Sequence, residues 1–306
     1  MCNKITKNSF KFPCSSEDNV VPIHGTFYAL HQSVGKQILS RNESDKHSIG
    51  MQQLQENILA SARFSPDTSH FEEALTRHFP GSRPSRDFVD YSLQILNQYG
   101  FQPNNTMACA SVCRDELTRP FINNINEVWG RLFNFSSLAG MLYLGVTGFN
   151  AAHHHAPNSE GTERYVYFAF PHIAIDENGV PGNCRRPGRH EMSHACGALL
   201  NVLQDLSQGL VGLELNQDDL EQSLLKQRLF RKLRYGEIPD LVTLTKIAHN
   251  VIREDLERMI QLTVDSNSVP YALFSGIQIH GPGNQTWIWI DTPYVVAKGA
   301  RITLAQ

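Results

Sequence analysis

The spacing of the apolar residues changes at Thr106, and that change constrains the fold more than any other feature of the chain. Before it the spacing is helical: Phe27, Leu30, Val34 and Ile38, then Met51, Leu54, Ile58 and Leu59, with a polar loop at 42–46 between them. Phe71, Leu75 and Phe79 follow, ending at Pro80-Gly81, and then Phe88, Tyr91, Ile95 and Leu96, ending at Gly100. Intervals of three and four place apolar side chains on one helix face, and Gly or Pro just beyond closes the helix. After Thr106 the apolar residues come in short runs at 107–112, 140–146, 165–175, 272–279 and 286–290, rich in aromatic and β-branched types. Such runs predict strands.

Between those runs the spacing predicts helices over 121–133, 195–206, 220–233 and 241–262, the last with Leu244, Ile247, Val251, Leu256 and Ile260 on one face. Strand alternating with helix is the pattern of an α/β domain. Gly281-Pro282-Gly283-Asn284 between two strand-like runs predicts a terminal antiparallel hairpin. The organisation expected is an irregular arm at 1–25 and a single domain over 26–306. Within it, 26–100 is a helical part packed on the sheet and 101–306 is the α/β core.

A chain of 306 residues can bury a substantial core without covalent staples. With 27 Lys and Arg against 30 Asp and Glu, it lacks the basic excess of a nucleic-acid or membrane-surface protein. Neither a signal peptide nor a bilayer-spanning stretch is evident, so the expected compartment is the cytoplasm, or an organelle if a transit peptide was removed. Cys2, Cys14, Cys109, Cys113, Cys184 and Cys196 are scattered, which favours free thiols or metal ligands over a disulfide framework.

Three constellations can do chemistry. Cys113, His172 and Cys196 each stand at an element boundary, and two thiolates with one imidazole suit Zn²⁺ with a fourth position left for water. Their spacing alone is uninformative, and a set of packed core side chains explains it as well. His190-Glu191-Met192-Ser193-His194 is a literal H-E-x-x-H, with Glu214 placed as a possible third ligand. Pro187-Gly188 just before it would put that pair in a fraying first turn, whereas a metal pair needs a rigid helix. His153, His154 and His155 are adjacent, so their side chains diverge; one can line a pocket or carry protons, or all three can sit in a solvated loop. There is no G-x-G-x-x-G, Walker A motif or G-x-S-x-G, so nucleotide binding and α/β-hydrolase chemistry have no support.

Five motifs in order carry a family resemblance. They are Cys113-Arg114-Asp115-Glu116, Gly145-Val146-Thr147-Gly148, Phe170-Pro171-His172-Ile173-Ala174-Ile175-Asp176, Arg186-Pro187-Gly188-Arg189 and Ala195-Cys196-Gly197-Ala198-Leu199. Together, over roughly residues 20–300, they resemble the limiting-CO2-inducible protein B family, which is related to β-carbonic anhydrases and includes members called θ-type carbonic anhydrases. The resemblance implies a mostly parallel sheet flanked by helices, a homodimer, and zinc held by Cys113, His172 and Cys196. It reduces 189–194 to a connection between motifs.

The implied reaction is reversible hydration of CO2 to bicarbonate. Zinc lowers the pKa of its water from about 15.7 to near 7, giving hydroxide at neutral pH. Asp115 matches the aspartate of the β-carbonic anhydrase C-x-D-x-R motif and would orient that hydroxide. The arginine position of the motif holds Leu117, so Arg119, or else Arg114, is expected to pair with Asp115. An Asp115 that is not held away would itself close the site. One of His153, His154 and His155 is the expected proton carrier. Cys109, four residues before Cys113 in the same strand, is expected to be a core thiol. The rival functions are an H-E-x-x-H metallopeptidase and a catalytically silent zinc-bearing homologue with a binding role.

Overall fold

The computed structural model describes residues 68–130, 132–157, 162–234 and 236–305. The arm at 1–25 and the helices expected over 26–62 lie outside them. Among the described residues a nine-stranded sheet runs through the molecule. Its central path is β1 (Arg83–Pro84), β9 (Thr286–Ile290), β8 (Tyr271–His280), β4 (Tyr165–Phe170), β2 (Met107–Val112) and β3 (Leu132–Asn134). Strands β3, β2, β4 and β8 are mutually parallel, while at one side β9 runs antiparallel to β8 and β1 antiparallel to β9. After Pro171, β5 (His172–Ala174) continues along the second half of β8, and β10 (Tyr294–Ala297) pairs with its first half.

Helices cover both faces, which is why the central strands are apolar on both sides. Along β4, Tyr165, Tyr167 and Ala169 enter one core, and Val166, Phe168 and Phe170 enter the other. The first core is closed by α1 (Ser69–His78), α4 (Gly145–His153), α5 (Gly197–Ser207), α6 (Leu220–Phe230) and α7 (Leu241–Thr263). The second is closed by α2 (Ser85–Asn97) and α3 (Arg119–Trp129), which contribute Phe88, Leu96, Phe121, Ile125 and Trp129. The part of the helical region within the described residues thus packs on the sheet, α1 and α2 on opposite faces. Asp240 starts α7 by accepting a 2.7 Å hydrogen bond from the Thr243 amide, a side-chain N-cap.

Two expectations about strands are corrected. The run at 140–146 is no strand: Ala139, Gly140 and Gly145 have φ of 53°, 78° and 63°, and the chain passes from a turn into α4. Gly140 lies so close under the strand ends that a Cβ there would stand 3.3 Å from Phe170 O and Val112 C, so the run is a loop, buried at 140–142 and exposed by Val146. The hairpin at 281–284 forms between β8 and β9 but is not terminal, because β10 and β11 (Ala300–Thr303) form a second antiparallel pair after it. Gly276 makes the first hairpin possible, since a Cβ there would fall 1.8 Å from the Trp289 carbonyl oxygen.

The topology fixes where ligands can gather. The chain passes from β2 outward to β3 and then back across β2 to β4, so the order reverses between β2 and β4. In open α/β sheets the crevice at the carboxyl ends of the strands at such a switch point is the place for a site. Cys113 follows the last residue of β2, and His172 follows Pro171 at the end of β4. Among the described residues no helix is long and apolar enough to cross a membrane.

Candidate metal centre

Each of the three sulfur and nitrogen donors is set by a change of direction in the chain. Beyond Cys113 the backbone turns into a short helical turn, Glu116–Thr118, where the Thr118 hydroxyl lies 2.8 Å from both Cys113 O and Asp115 O. His172 opens β5, whose register on β8 is fixed by pairs such as His172↔Gln278 and by the Gln278 amide donating to Pro171 O at 2.9 Å. Cys196 is the N-cap of α5, with its carbonyl accepting from Leu200 at 3.0 Å. Helix N-termini favour negative charge, as a thiolate requires.

These three side chains converge. Their ligand atoms all lie within 4.8 Å of one another, and the two sulfurs are 3.8 Å apart and not bonded. All three residues are buried, and His172 Nε2 has no hydrogen-bond partner. A buried ring nitrogen without a partner costs free energy, on the order of 1–3 kcal/mol, unless something else satisfies it. The donor set answers that need, because two thiolates and an imidazole at this spacing suit a zinc ion and leave a fourth position open. The Cys113 thiol is drawn below the ordinary thiol range by its hydrogen bond with Cys196, opposed by burial and helped by His172. Cys196 is pushed up by the same contact and by burial.

Asp115 stands beside this cluster but not in it. Arg186 grips it with both guanidinium ends, Nη1 to Oδ1 at 2.8 Å and Nη2 to Oδ2 at 3.0 Å. Oδ1 also accepts from the Leu117 amide at 3.1 Å. Burial works to raise the Asp115 carboxyl, but Arg186, His172 and the Leu117 amide outweigh it and hold the pKa at about 2. The arginine is itself fixed, donating from Nε to Ser193 Oγ at 3.0 Å and from Nη2 to His194 O at 2.9 Å, and bonding Glu116 as well. With 12% and 17% of their side chains exposed, Asp115 and Arg186 form a shielded bidentate pair, the strongest kind of exposed-to-buried ion contact.

The expected partner Arg119 is therefore replaced by Arg186, which lies 71 residues after Asp115. Arg119 is the first residue of α3 and is exposed, and Arg114 reaches away to Glu221 at 2.6 Å. The H-E-x-x-H run is corrected too. It forms no helix: Met192–His194 is strand β7, paired antiparallel with β6 (Asn183–Arg185), and His190, Glu191 and His194 are exposed. The i, i+4 geometry of a metal pair does not arise on that hairpin, whose work is to hold Arg186. Glu214 is exposed in an irregular stretch.

The three adjacent histidines are also misplaced for proton transfer. His153 ends α4, its ring 4.3 Å from that of Tyr165 and its Nε2 2.9 Å from the Tyr167 hydroxyl. Those tyrosines begin β4 and His172 follows its end, so seven residues at about 3.3 Å each separate His153 from the cluster by roughly 20 Å. His154 and His155 are exposed, the latter stacked on Phe133. Cys109 is 1% exposed in the first core, a packed thiol as expected.

Two residues at the centre carry no motif. His172 Nδ1 lies 3.1 Å from His280 Nε2, and His280 Nδ1 lies 3.2 Å from Thr286 Oγ1. Burial lowers the His280 pKa to about 3, so its ring is neutral. His280 and Thr286 also line a cleft of about 50 Å³ with Glu116, Leu117 and Cys184. The only sequence signal for His280 is a polar residue closing the apolar run of β8.

The comparisons agree with this geometry. The family model for limiting CO2-inducible proteins B/C, β-carbonic anhydrases, matches residues 82–297. The crystal structure of the limiting CO2-inducible protein LCIB is 34% identical, covering 76% of this chain and 97% of that one, with a TM-score of 0.64. That of PtLCIB4, a homologue of LCIB, is 24% identical over 76% of this chain and 99% of that one, with a TM-score of 0.66. No curated protein sequence matches. On this fold and these matches, the chain belongs to the limiting CO2-inducible protein B/C family.

Proposed function

We propose that this chain is a zinc-dependent carbonic anhydrase that interconverts CO2 and bicarbonate. The observation that carries the reading is the convergence of Cys113 Sγ, Cys196 Sγ and the unpartnered His172 Nε2 beside a carboxylate held by a guanidinium fork. Membership in a family described as β-carbonic anhydrases supports it. When bound there, zinc supplies a Lewis acid that brings the pKa of water from about 15.7 to near 7.

The chain's own residues set up the rest. Two thiolates give the site more negative charge than imidazoles would, which works against acidifying the water, so a nearby acceptor matters. Asp115 is that acceptor: ionised at neutral pH, it takes a hydrogen bond from the reacting water and turns a lone pair toward the carbon of CO2. Arg186 occupies both Asp115 oxygens and so keeps the carboxylate from becoming a fourth ligand. The test is stopped-flow CO2 hydration with zinc content measured on the same samples. Wild type is expected to carry one zinc per chain and to hydrate CO2, and Asp115→Ala to keep zinc but lose hydration. Wild type with zinc and no hydration would instead establish a silent homologue.

A homodimer in a reducing compartment, the cytoplasm, completes the proposal. Leu210, Val211, Leu213 and Leu215 are each about half exposed in one short stretch, a surface of the kind subunits cover. Cys109, Cys113, Cys184 and Cys196 are all free thiols, which supports reducing surroundings.

A further inference from the structure

We infer that His280 is a positioning residue that, backed by Thr286, fixes the tautomer and ring orientation of His172 so that the Nε2 lone pair faces the metal. The inference rests on the reading of Cys113, His172 and Cys196 as ligands and deepens it. A neutral imidazole has one N–H and one lone pair, and which nitrogen binds metal is decided by what the other one does. His172 Nδ1 faces His280, which leaves Nε2, buried and without a hydrogen-bond partner, as the nitrogen free to join the two sulfurs, so Nδ1 must carry the proton. The acceptor 3.1 Å from Nδ1 is His280 Nε2. That nitrogen accepts only if the His280 proton sits on Nδ1, and Nδ1 donates to Thr286 Oγ1 at 3.2 Å. The three side chains therefore have one consistent direction of donation, from His172 to His280 to Thr286.

The sheet makes this chain of bonds rigid. His172 pairs with Gln278 across β5 and β8, and His280, two residues on, projects from the same side of β8. Thr286 is the register partner of His280 on β9. Each member is thus held by a strand ladder, and His280 itself is 4% exposed, with its ring at 76° to that of His172. Where metal-bound histidines commonly use a carboxylate or a carbonyl for this purpose, here a second histidine does so, leaving the charge of the site unchanged.

The test measures zinc affinity by chelator competition, together with the melting temperature of the zinc-free protein, in four proteins. Against wild type, His280→Phe keeps a ring in place but offers no acceptor. His280→Gln restores an acceptor near the Nε2 position, and Thr286→Val removes only the far end of the chain. Removing such a support costs about 10- to 100-fold in metal affinity. The expected result is a loss of that size in His280→Phe, recovery of most of it in His280→Gln, and a loss of a few-fold in Thr286→Val, with zinc-free melting temperatures of Thr286→Val and His280→Gln close to wild type. Equal affinities in wild type and His280→Phe would overturn the inference. So would a loss in His280→Gln as large as in His280→Phe, which would mean packing alone. Wild type that binds no zinc would overturn the metal centre and the inference together. Zinc bound normally without CO2 hydration would overturn the carbonic anhydrase reading and leave this one standing.

Discussion

A histidine stands by each end of β4, and the two are in opposite states. At its start, Tyr165 bonds Glu163, Tyr167 meets His153 at 2.9 Å, and the rings of His153 and Tyr165 pack at 4.3 Å. There the imidazole is used up in holding a helix end to the sheet. Just past the other end, His172 is fully buried, where His153 is half-buried, and has one nitrogen tied to His280 and the other left without a hydrogen-bond partner beside two thiols. The difference teaches that a buried histidine is read by its unsatisfied atom. Number and adjacency of histidines point to the wrong end of the strand.

That contrast can be broken by substitution. The largest effect is expected at the unsatisfied end: His172→Ala should lose zinc and bring CO2 hydration to the uncatalysed background, as read by metal analysis and stopped-flow. If His172→Ala kept wild-type zinc, the contrast would collapse. Next, Arg186→Ala should retain zinc while hydration falls about 10²- to 10³-fold, the range for losing one preorganised polar group at a reacting centre. Arg119→Ala measured beside it should stay within about two-fold, and the reverse order would restore Arg119 as the partner of Asp115.

At the satisfied end, His153→Phe leaves the buried Tyr167 hydroxyl without its partner. It is expected to lower unfolding free energy by about 1–3 kcal/mol in urea titration, with zinc content and CO2 hydration unchanged. A proton-carrying role would show instead as a fall in kcat at low buffer concentration. Smallest of all, His190→Ala and His194→Ala fall on an exposed hairpin and should change stability by less than about 0.5 kcal/mol, with zinc retained.

What the sequence made legible follows from how local each feature is. Apolar spacing located α1, α2, α3, α5, α6, α7 and the central strands because each is set by its own residues against one face or two. It failed at 140–146, where glycines in the left-handed region turn an apolar run into a loop, buried at 140–142 beneath the strand ends, that leads into α4. Cys113, His172 and Cys196 could be grouped from their places at element boundaries, but their spacing of tens of residues carries no metal signature, so only the resemblance ranked them first and gave Asp115 its role; sheet topology is what brings the three together. Arg186 lies inside one of the quoted motifs, yet nothing in the sequence ties it to Asp115; the tie is made by a hairpin folding back 71 residues later. His280 and Thr286 were beyond reach because they meet His172 through register across β5, β8 and β9, which no single stretch encodes.

The most direct measurement is anomalous scattering at the zinc edge from crystals of the purified protein. One peak per chain is expected, within about 2.0–2.3 Å of Cys113 Sγ, Cys196 Sγ and His172 Nε2, with Asp115 still paired to Arg186. A peak at His190 and His194, a peak with an Asp115 oxygen as fourth ligand, or no peak at all would contradict an open zinc centre at the end of β4.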